Sequence, residues 1–249
     1  MKYCIITGTS RGIGESLAKQ LLDESHHLFC ISRTVNHDLI KLSEKANNAI
    51  TYFPFDLNKI SEIDQLFEKM FSIIRQNPQV DAIYLINNAG MLSPVAPIER
   101  CSTASVIENV TINLLAPMTM TSHFIKHTQG MNVDKRIMNI SSASAKYLMP
   151  SQSCYSTSKA GLDSFTKSIN LEQTGNEYPV KIASVYPGMI DTQMQAEIRS
   201  ANVENFPYVG QFIQIAQEGK LQTAAYTAGK LIDILSSDDF GSTAIIEEL

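Results

Sequence analysis

Tyr155 and Lys159 stand four residues apart, ahead of apolar residues at helical spacing (Ala160, Leu162, Phe165, Ile169). One helical turn separates them, so both side chains project from one face of the same helix. A tyrosine hydroxyl, with an ordinary pKa of about 10, is a poor acid or base at neutral pH. A lysine ammonium beside it favours the phenolate and draws that pKa toward the working range. Ser142, near the end of the apolar strand Arg136-Ile137-Met138-Asn139-Ile140, could add a hydroxyl to hold a substrate oxygen. A second Tyr-x-x-x-Lys, Tyr226 to Lys230, is an internal control: no serine-ended strand precedes it, and it reads as a surface helix. The spacing carries little by itself. The elements that would position Tyr155 carry more.

Residues 2–7 form an apolar run ending in Thr7-Gly8-Thr9-Ser10-Arg11-Gly12-Ile13-Gly14, and an amphipathic helix follows (Ile13, Leu17, Leu21, Leu22). Strand, glycine turn, helix is the context a dinucleotide requires. Glycines let the backbone approach a pyrophosphate, and the helix N-terminus supplies amide donors. Gly8, Ser10, Arg11, Gly12, Ile13 and Gly14 are the candidate contacts of this loop. The next strand, Leu28–Ser32, closes the first βαβ unit without the terminal carboxylate that would bind the ribose hydroxyl of NAD. Arg33 stands there instead and, with Arg11, offers guanidinium donors for a 2′-phosphate, which favours NADP(H). After strand 50–55, Asp56-Leu57 could receive the adenine, or Asp56 could cap a helix over 59–76. Strand Ala82–Ile86 is apolar throughout and ends in Asn87-Asn88-Ala89-Gly90, small enough for a cofactor to lie against Asn88, Ala89 and Gly90.

A helix over roughly 100–128 contains Asn113 and, four residues on, Pro117, which has no N–H to give to the Asn113 carbonyl. That carbonyl could hold a water or reach toward Lys159; an ordinary proline kink is the alternative. His123 and His127 have metal-pair spacing on the same helix, but no acidic or histidine partner lies near them in sequence. They read as surface histidines, and no metal is expected. Strand Val180–Tyr186 leads to Pro187-Gly188-Met189-Ile190-Asp191-Thr192, then a less regular stretch. Residues 189–219, with Met194, Phe206, Tyr208 and Phe212, read as an apolar lid or a packed excursion. A helix over 223–237 and a strand near 243–247 finish the chain. The expectation is one α/β domain over 1–249: a single Rossmann-type, doubly wound parallel sheet with helices on both faces.

Composition fits that expectation. The 249 residues are 44% hydrophobic and 18% charged, an ordinary globule large enough for a well-buried core. A net charge of −5 gives no electrostatic reason to expect nucleic acid or an anionic membrane. No apolar run approaches the roughly 18 residues that span a bilayer, and Met1–Ile6 reads as a first strand, not a signal peptide. Cys4, Cys30, Cys101 and Cys154 lack metal or redox spacing, as expected of reduced thiols in a cytoplasmic protein.

Together the motifs Thr7-Gly8-x-x-x-Gly12-x-Gly14, Asn87-Asn88-Ala89-Gly90, Asn113, Ser142, Tyr155-x-x-x-Lys159 and Pro187-Gly188 resemble the short-chain dehydrogenase/reductase family over essentially the whole chain. Within it the segment Tyr186–Gln195 and the tail from Gly219 to Phe240 are similar to the sepiapterin reductase branch, including bacterial relatives that reduce benzil to (S)-benzoin. The resemblance implies that Tyr155 protonates a carbonyl oxygen, Ser142 hydrogen-bonds it, Lys159 assists and binds the nicotinamide ribose, and Asn113 holds a relay water. It also implies that Pro187, Gly188, Ile190 and Thr192 contact the nicotinamide end. The partner is then a small apolar or aromatic ketone or 1,2-diketone, in a homodimer or homotetramer. Met91, Leu92, Tyr147, Leu148 and Met149 flank these motifs and could line the pocket. Glu247 falls where sepiapterin reductases place the aspartate that anchors pterin, so a pterin side-chain reductase is one alternative. A non-catalytic NADP-binding redox sensor is another, and alcohol oxidation would use the same site in reverse.

Overall fold

The computed structural model describes residues 1–46 and 49–249. The elements in chain order are β1 (Lys2–Thr7), α1 (Gly12–Gln20), β2 (His26–Ser32), α2 (His37–Ala46), β3 (Ala49–Pro54), α3 (Ile63–Ile74) and β4 (Ala82–Asn87). Then come α4 (Thr103–Val110), α5 (Ala116–Thr128), β5 (Asp134–Ile140), α6 (Ser153–Gln173), β6 (Lys181–Val185), α7 (Gln193–Arg199), α8 (Val209–Gln217), α9 (Ala224–Ser236) and β7 (Ile245–Ile246). The seven strands form one sheet in the order β3-β2-β1-β4-β5-β6-β7, and every pairing is parallel.

Parallel strands must be covered on both faces, which is why β1 and β4 read as near-continuous apolar runs and the inner end of β5 carries Ile137, Met138 and Ile140. One core packs Ile5, Phe29, Leu85 and Ile137 against Phe67 and Phe71 of α3 and Phe124 of α5. The other packs Ile6, Cys30, Ile86 and Met138 against Leu17 of α1 and Leu231 of α9. Burial pushes the Cys4 and Cys30 thiols up to about 12, so both are inert core residues. No described helix is long and apolar enough to cross a membrane.

The chain reverses direction across the sheet between β1 and β4, where ligands of such folds bind. Thr7 and Asn88 bind the two strand ends together. Thr7 Oγ1 accepts from the amides of Asn88 and Ala89, each at 3.0 Å, and Asn88 Nδ2 donates to the Thr7 carbonyl at 2.9 Å.

Two expectations need correction. The helix over 100–128 is interrupted: α4 and α5 are joined by a π-helical turn, Thr111–Leu115. Pro117 cannot donate to the carbonyl four residues back, and the chain widens by one residue before α5 begins. His123 and His127, expected at the surface, are partly buried. They lie under α3, with side chains 20% and 4% exposed.

Candidate active site

A cleft of about 880 Å³ opens at the carboxyl edge of the sheet and takes in both the glycine loop and the start of α6. Every expected cofactor contact lines it except Gly14: Gly8, Ser10, Arg11, Gly12, Ile13, Arg33, Asp56, Leu57, Asn88, Ala89, Gly90, Tyr155, Lys159, Pro187, Gly188, Ile190 and Thr192. Gly14 lies beneath, where a Cβ would sit 2.3 Å from the Gly8 carbonyl oxygen. Gly8, at φ +75°, occupies left-handed backbone that a side chain resists, and a Cβ there would meet Ala89 Cα at 2.9 Å. The loop is thus held in one shape, with Gly12 and Ile13 at the start of α1 lining the cleft, a cradle that suits a pyrophosphate. Gly14→Ala should distort it: NADPH fluorescence titration is expected to show affinity lost by about tenfold or more. Unchanged affinity would mean that the cradle tolerates the displacement.

At one end of the cleft, Arg11 and Arg33 are both exposed, and neither forms an ion pair among the described residues. At the other end, Tyr155 is buried (7% exposed), whereas Tyr226 in the control motif is 53% exposed. Identical spacing yields two different environments because α6 packs into the interior and the Tyr226 face of α9 does not. Tyr155 joins Leu92, Ile198 and Phe206 in a small apolar cluster to which Met149, Met194 and Phe212 add.

The effect expected of Lys159 on Tyr155 is not what the geometry produces. Burial pushes the Tyr155 hydroxyl up, and a hydrogen bond with Ser142 works against that rise. The Lys159 ammonium lies 5.7 Å from the Tyr155 ring centroid and donates to the Ile140 carbonyl at 2.7 Å. Burial lowers Lys159 itself to about 8, opposed by the Asp163 carboxylate. The folded chain therefore binds fewer protons than the unfolded one between pH 8 and 10.5. Its cost to stability is full below pH 8 and is relieved as pH rises. Lys159→Met should stabilise the fold at pH 7 by at most on the order of 3 kcal/mol, a figure that already counts the attraction to Asp163 and from which the lost hydrogen bond to the Ile140 carbonyl is deducted. Denaturation at pH 7 and pH 9.5 should show that advantage shrinking at the higher pH; an equal advantage at both would exonerate Lys159.

Asn113 is fully buried in the π-turn. Its side chain is engaged with Met91: Oδ1 accepts from the Met91 amide at 3.0 Å, and Nδ2 donates to the Met91 carbonyl at 2.8 Å. A Cβ on Gly90 would lie 3.1 Å from Asn113 Oδ1 and 3.7 Å from Lys159 Nζ, so the two groups flank Gly90 closely. Glu247 is not brought into the cleft. It is exposed and held by Lys146, whose ammonium donates to both carboxylate oxygens at 2.8 Å. Of the flanking apolar residues, Met91, Leu92 and Met149 line the cleft, while Tyr147 and Leu148 face solvent. From 189–219, Met189, Met194, Ile198 and Phe212 line it; α7 and α8 organise the stretch the sequence left irregular.

Two polar residues escaped the sequence reading. Asn109 on α4 donates through Nδ2 to the carbonyls of Met91, Leu92 and Ser93, best to Ser93 at 2.7 Å. Its Oδ1 accepts from Asn113 Nδ2 at 3.1 Å and from Ser158 Oγ at 3.0 Å. Asp163 stands one turn beyond Lys159 on the same face, buried, and accepts from the Tyr186 hydroxyl at 2.6 Å. The signal for Asp163 was present: an acid at i+4 from Lys159 on a face that carries the site.

The fold and this site define an oxidoreductase that works on carbonyl or alcohol groups with a nicotinamide cofactor, and the chain belongs to the short chain dehydrogenase family, whose model matches residues 2–203. It is 42% identical over 246 residues to a benzil reductase ((S)-benzoin forming) of Bacillus cereus, covering 99% of this chain and 98% of that protein. Similarity to sepiapterin reductase of Bos taurus is lower, 27% over 255 residues, covering 98% and 93%. Among solved structures, the KRED1-Pglu enzyme superposes with a TM-score of 0.83 at 22% identity over the full length of both chains, a likeness of fold.

Proposed function

We propose that the protein is an NADPH-dependent reductase of small apolar or aromatic ketones and 1,2-diketones, benzil among them, giving the S-alcohol. The observation that carries this reading is Tyr155. It is buried among Leu92, Ile198 and Phe206 in the cleft that Lys159 and Ser142 also line. Similarity to the Bacillus cereus benzil reductase supports the substrate class. The cofactor, when bound, supplies hydride to the carbonyl carbon. Tyr155 gives its hydroxyl proton to the carbonyl oxygen, and Ser142 hydrogen-bonds that oxygen and fixes its position. A phenol raised by burial is protonated at neutral pH, which is the form a proton donor needs. Lys159, near pKa 8, can re-supply Tyr155 through a water held by the Asn113 carbonyl. Ile190, Thr192, Pro187 and Gly188 would flank the nicotinamide, Asp56 and Leu57 the adenine.

Residues 189–219 are the substrate lid in this reading, since Met194, Ile198 and Phe212 pack toward Tyr155 by apolar contact. Glu247 is paired with Lys146 and lies outside the cleft, so it is not placed to anchor a pterin, which favours diketones over sepiapterin. The same reading makes the chain one domain and a homodimer or homotetramer in the cytoplasm. The deciding experiment follows NADPH oxidation with benzil, 1-phenyl-1,2-propanedione and sepiapterin, with chiral analysis of the product. Turnover of the diketones to the S-alcohol is expected; inactivity on both would sink the substrate claim.

A further inference from the structure

Two pairs of potential metal ligands, each spaced by one helical turn, meet between α3 and α5. Asp64 and Glu68 project from α3, His123 and His127 from α5. They face each other in register: Asp64 Oδ1 lies 3.3 Å from His123 Nδ1, and Glu68 Oε1 lies 3.8 Å from His127 Nε2. One ligand atom from each of Asp64, His123 and His127 falls within 4.8 Å of the others. Donors at zinc's bond lengths would stand about 3.4 Å apart, so the Asp64, His123 and His127 atoms need draw together by no more than about 1.4 Å.

A second observation points to a ligand. His127 Nε2 and His123 Nδ1 are both shut off from solvent, and neither makes a hydrogen bond. The His127 ring packs against α3, 4.8 Å from the ring of Phe71 and 5.8 Å from that of Phe67. A buried imidazole nitrogen without a partner costs free energy, which a bound cation would recover. We propose that Asp64, His123 and His127, with Glu68 as fourth donor, form a divalent-metal site suited to zinc that joins α3 to α5. Two imidazoles and two carboxylates match zinc's preferences, and four protein donors make the site closed and structural, not catalytic. None of the four residues lines the cleft, so the site stands apart from the reductase chemistry.

Arg75 opposes metal binding. Its guanidinium, which can only donate, lies 3.1 Å from His127 Nδ1, so the metal-free imidazole carries its proton on Nε2. Coordination through Nε2 moves that proton to Nδ1 and turns Arg75 away.

The test uses full-length protein freed of any polyhistidine tag and stripped with a chelator, then titrated with zinc chloride. One equivalent should bind, and at a hundredfold excess over Kd the melting temperature should rise by about 5 °C. His127→Gln and Asp64→Asn should each weaken binding by about tenfold or more, while Arg75→Met should tighten it. Cobalt in place of zinc should give tetrahedral visible bands without the thiolate charge-transfer absorption that Cys101 or another cysteine would add. Should His127→Gln fail to fold, Asp64→Asn alone decides, because Asp64 is exposed. Absence of stoichiometric binding, or binding indifferent to these substitutions, overturns the site.

Discussion

Tyr155→Phe is expected to lower kcat by about 10³-fold, the range that a positioned proton donor contributes. The substitution keeps the ring that packs against Leu92, Ile198 and Phe206 and removes only the hydroxyl, so the fold and the cleft stay as they are. NADPH should bind the variant with unchanged fluorescence enhancement. Because the lost contact is made with charge that develops on the oxygen, kcat and kcat/KM should fall together. Ser142→Ala, which also removes the hydrogen bond that counters the rise in the Tyr155 pKa, should compound no more than weakly with it. Turnover in Tyr155→Phe equal to that of the parent would remove Tyr155 from its proposed role.

Arg33→Asp should weaken NADPH by about 10²-fold and NADH by less than about threefold. The two arginines reach the cleft from different elements: Arg33 follows β2, and Arg11 is the N-cap of α1. A guanidinium with no carboxylate partner is free to meet a 2′-phosphate, and an aspartate in its place would repel one. Because Arg33 is exposed, the change should leave the melting temperature within about 1 °C. Dissociation constants for both cofactors, measured at one ionic strength, give the comparison; parallel weakening would show that Arg33 does not distinguish them.

The parts of the fold legible in the sequence are those where one physical requirement dominates. Buried parallel strands need apolar centres, so β1, β2, β4 and the apolar end of β5 were readable to within two or three residues. The glycine loop was readable because Gly8 and Gly14 permit approaches no side chain allows. Pro117 announced a defect in the long helix, but a kink and a π-turn look alike until the backbone is traced. Lys159 was assigned the wrong influence on Tyr155 because depth cannot be read from spacing: burial outweighs a charge that points at Ile140 instead. Asn109 carries no periodic signal at all. The acids facing His123 and His127 sit some sixty residues away in α3, where no local pattern could reveal them.

One amide side chain, that of Asn109, fastens the Met91–Ser93 segment to both Asn113 and the start of α6 through Ser158. Breeding new selectivity into residues 91–93 would therefore jolt the proton-handling groups, and improved variants from that quarter should be scarce. The α7–α8 flap meets Tyr155 through apolar packing and is fastened elsewhere, at Asn205 by Arg100 and Ser151, so directed evolution has the freer hand at Met194, Ile198 and Phe212.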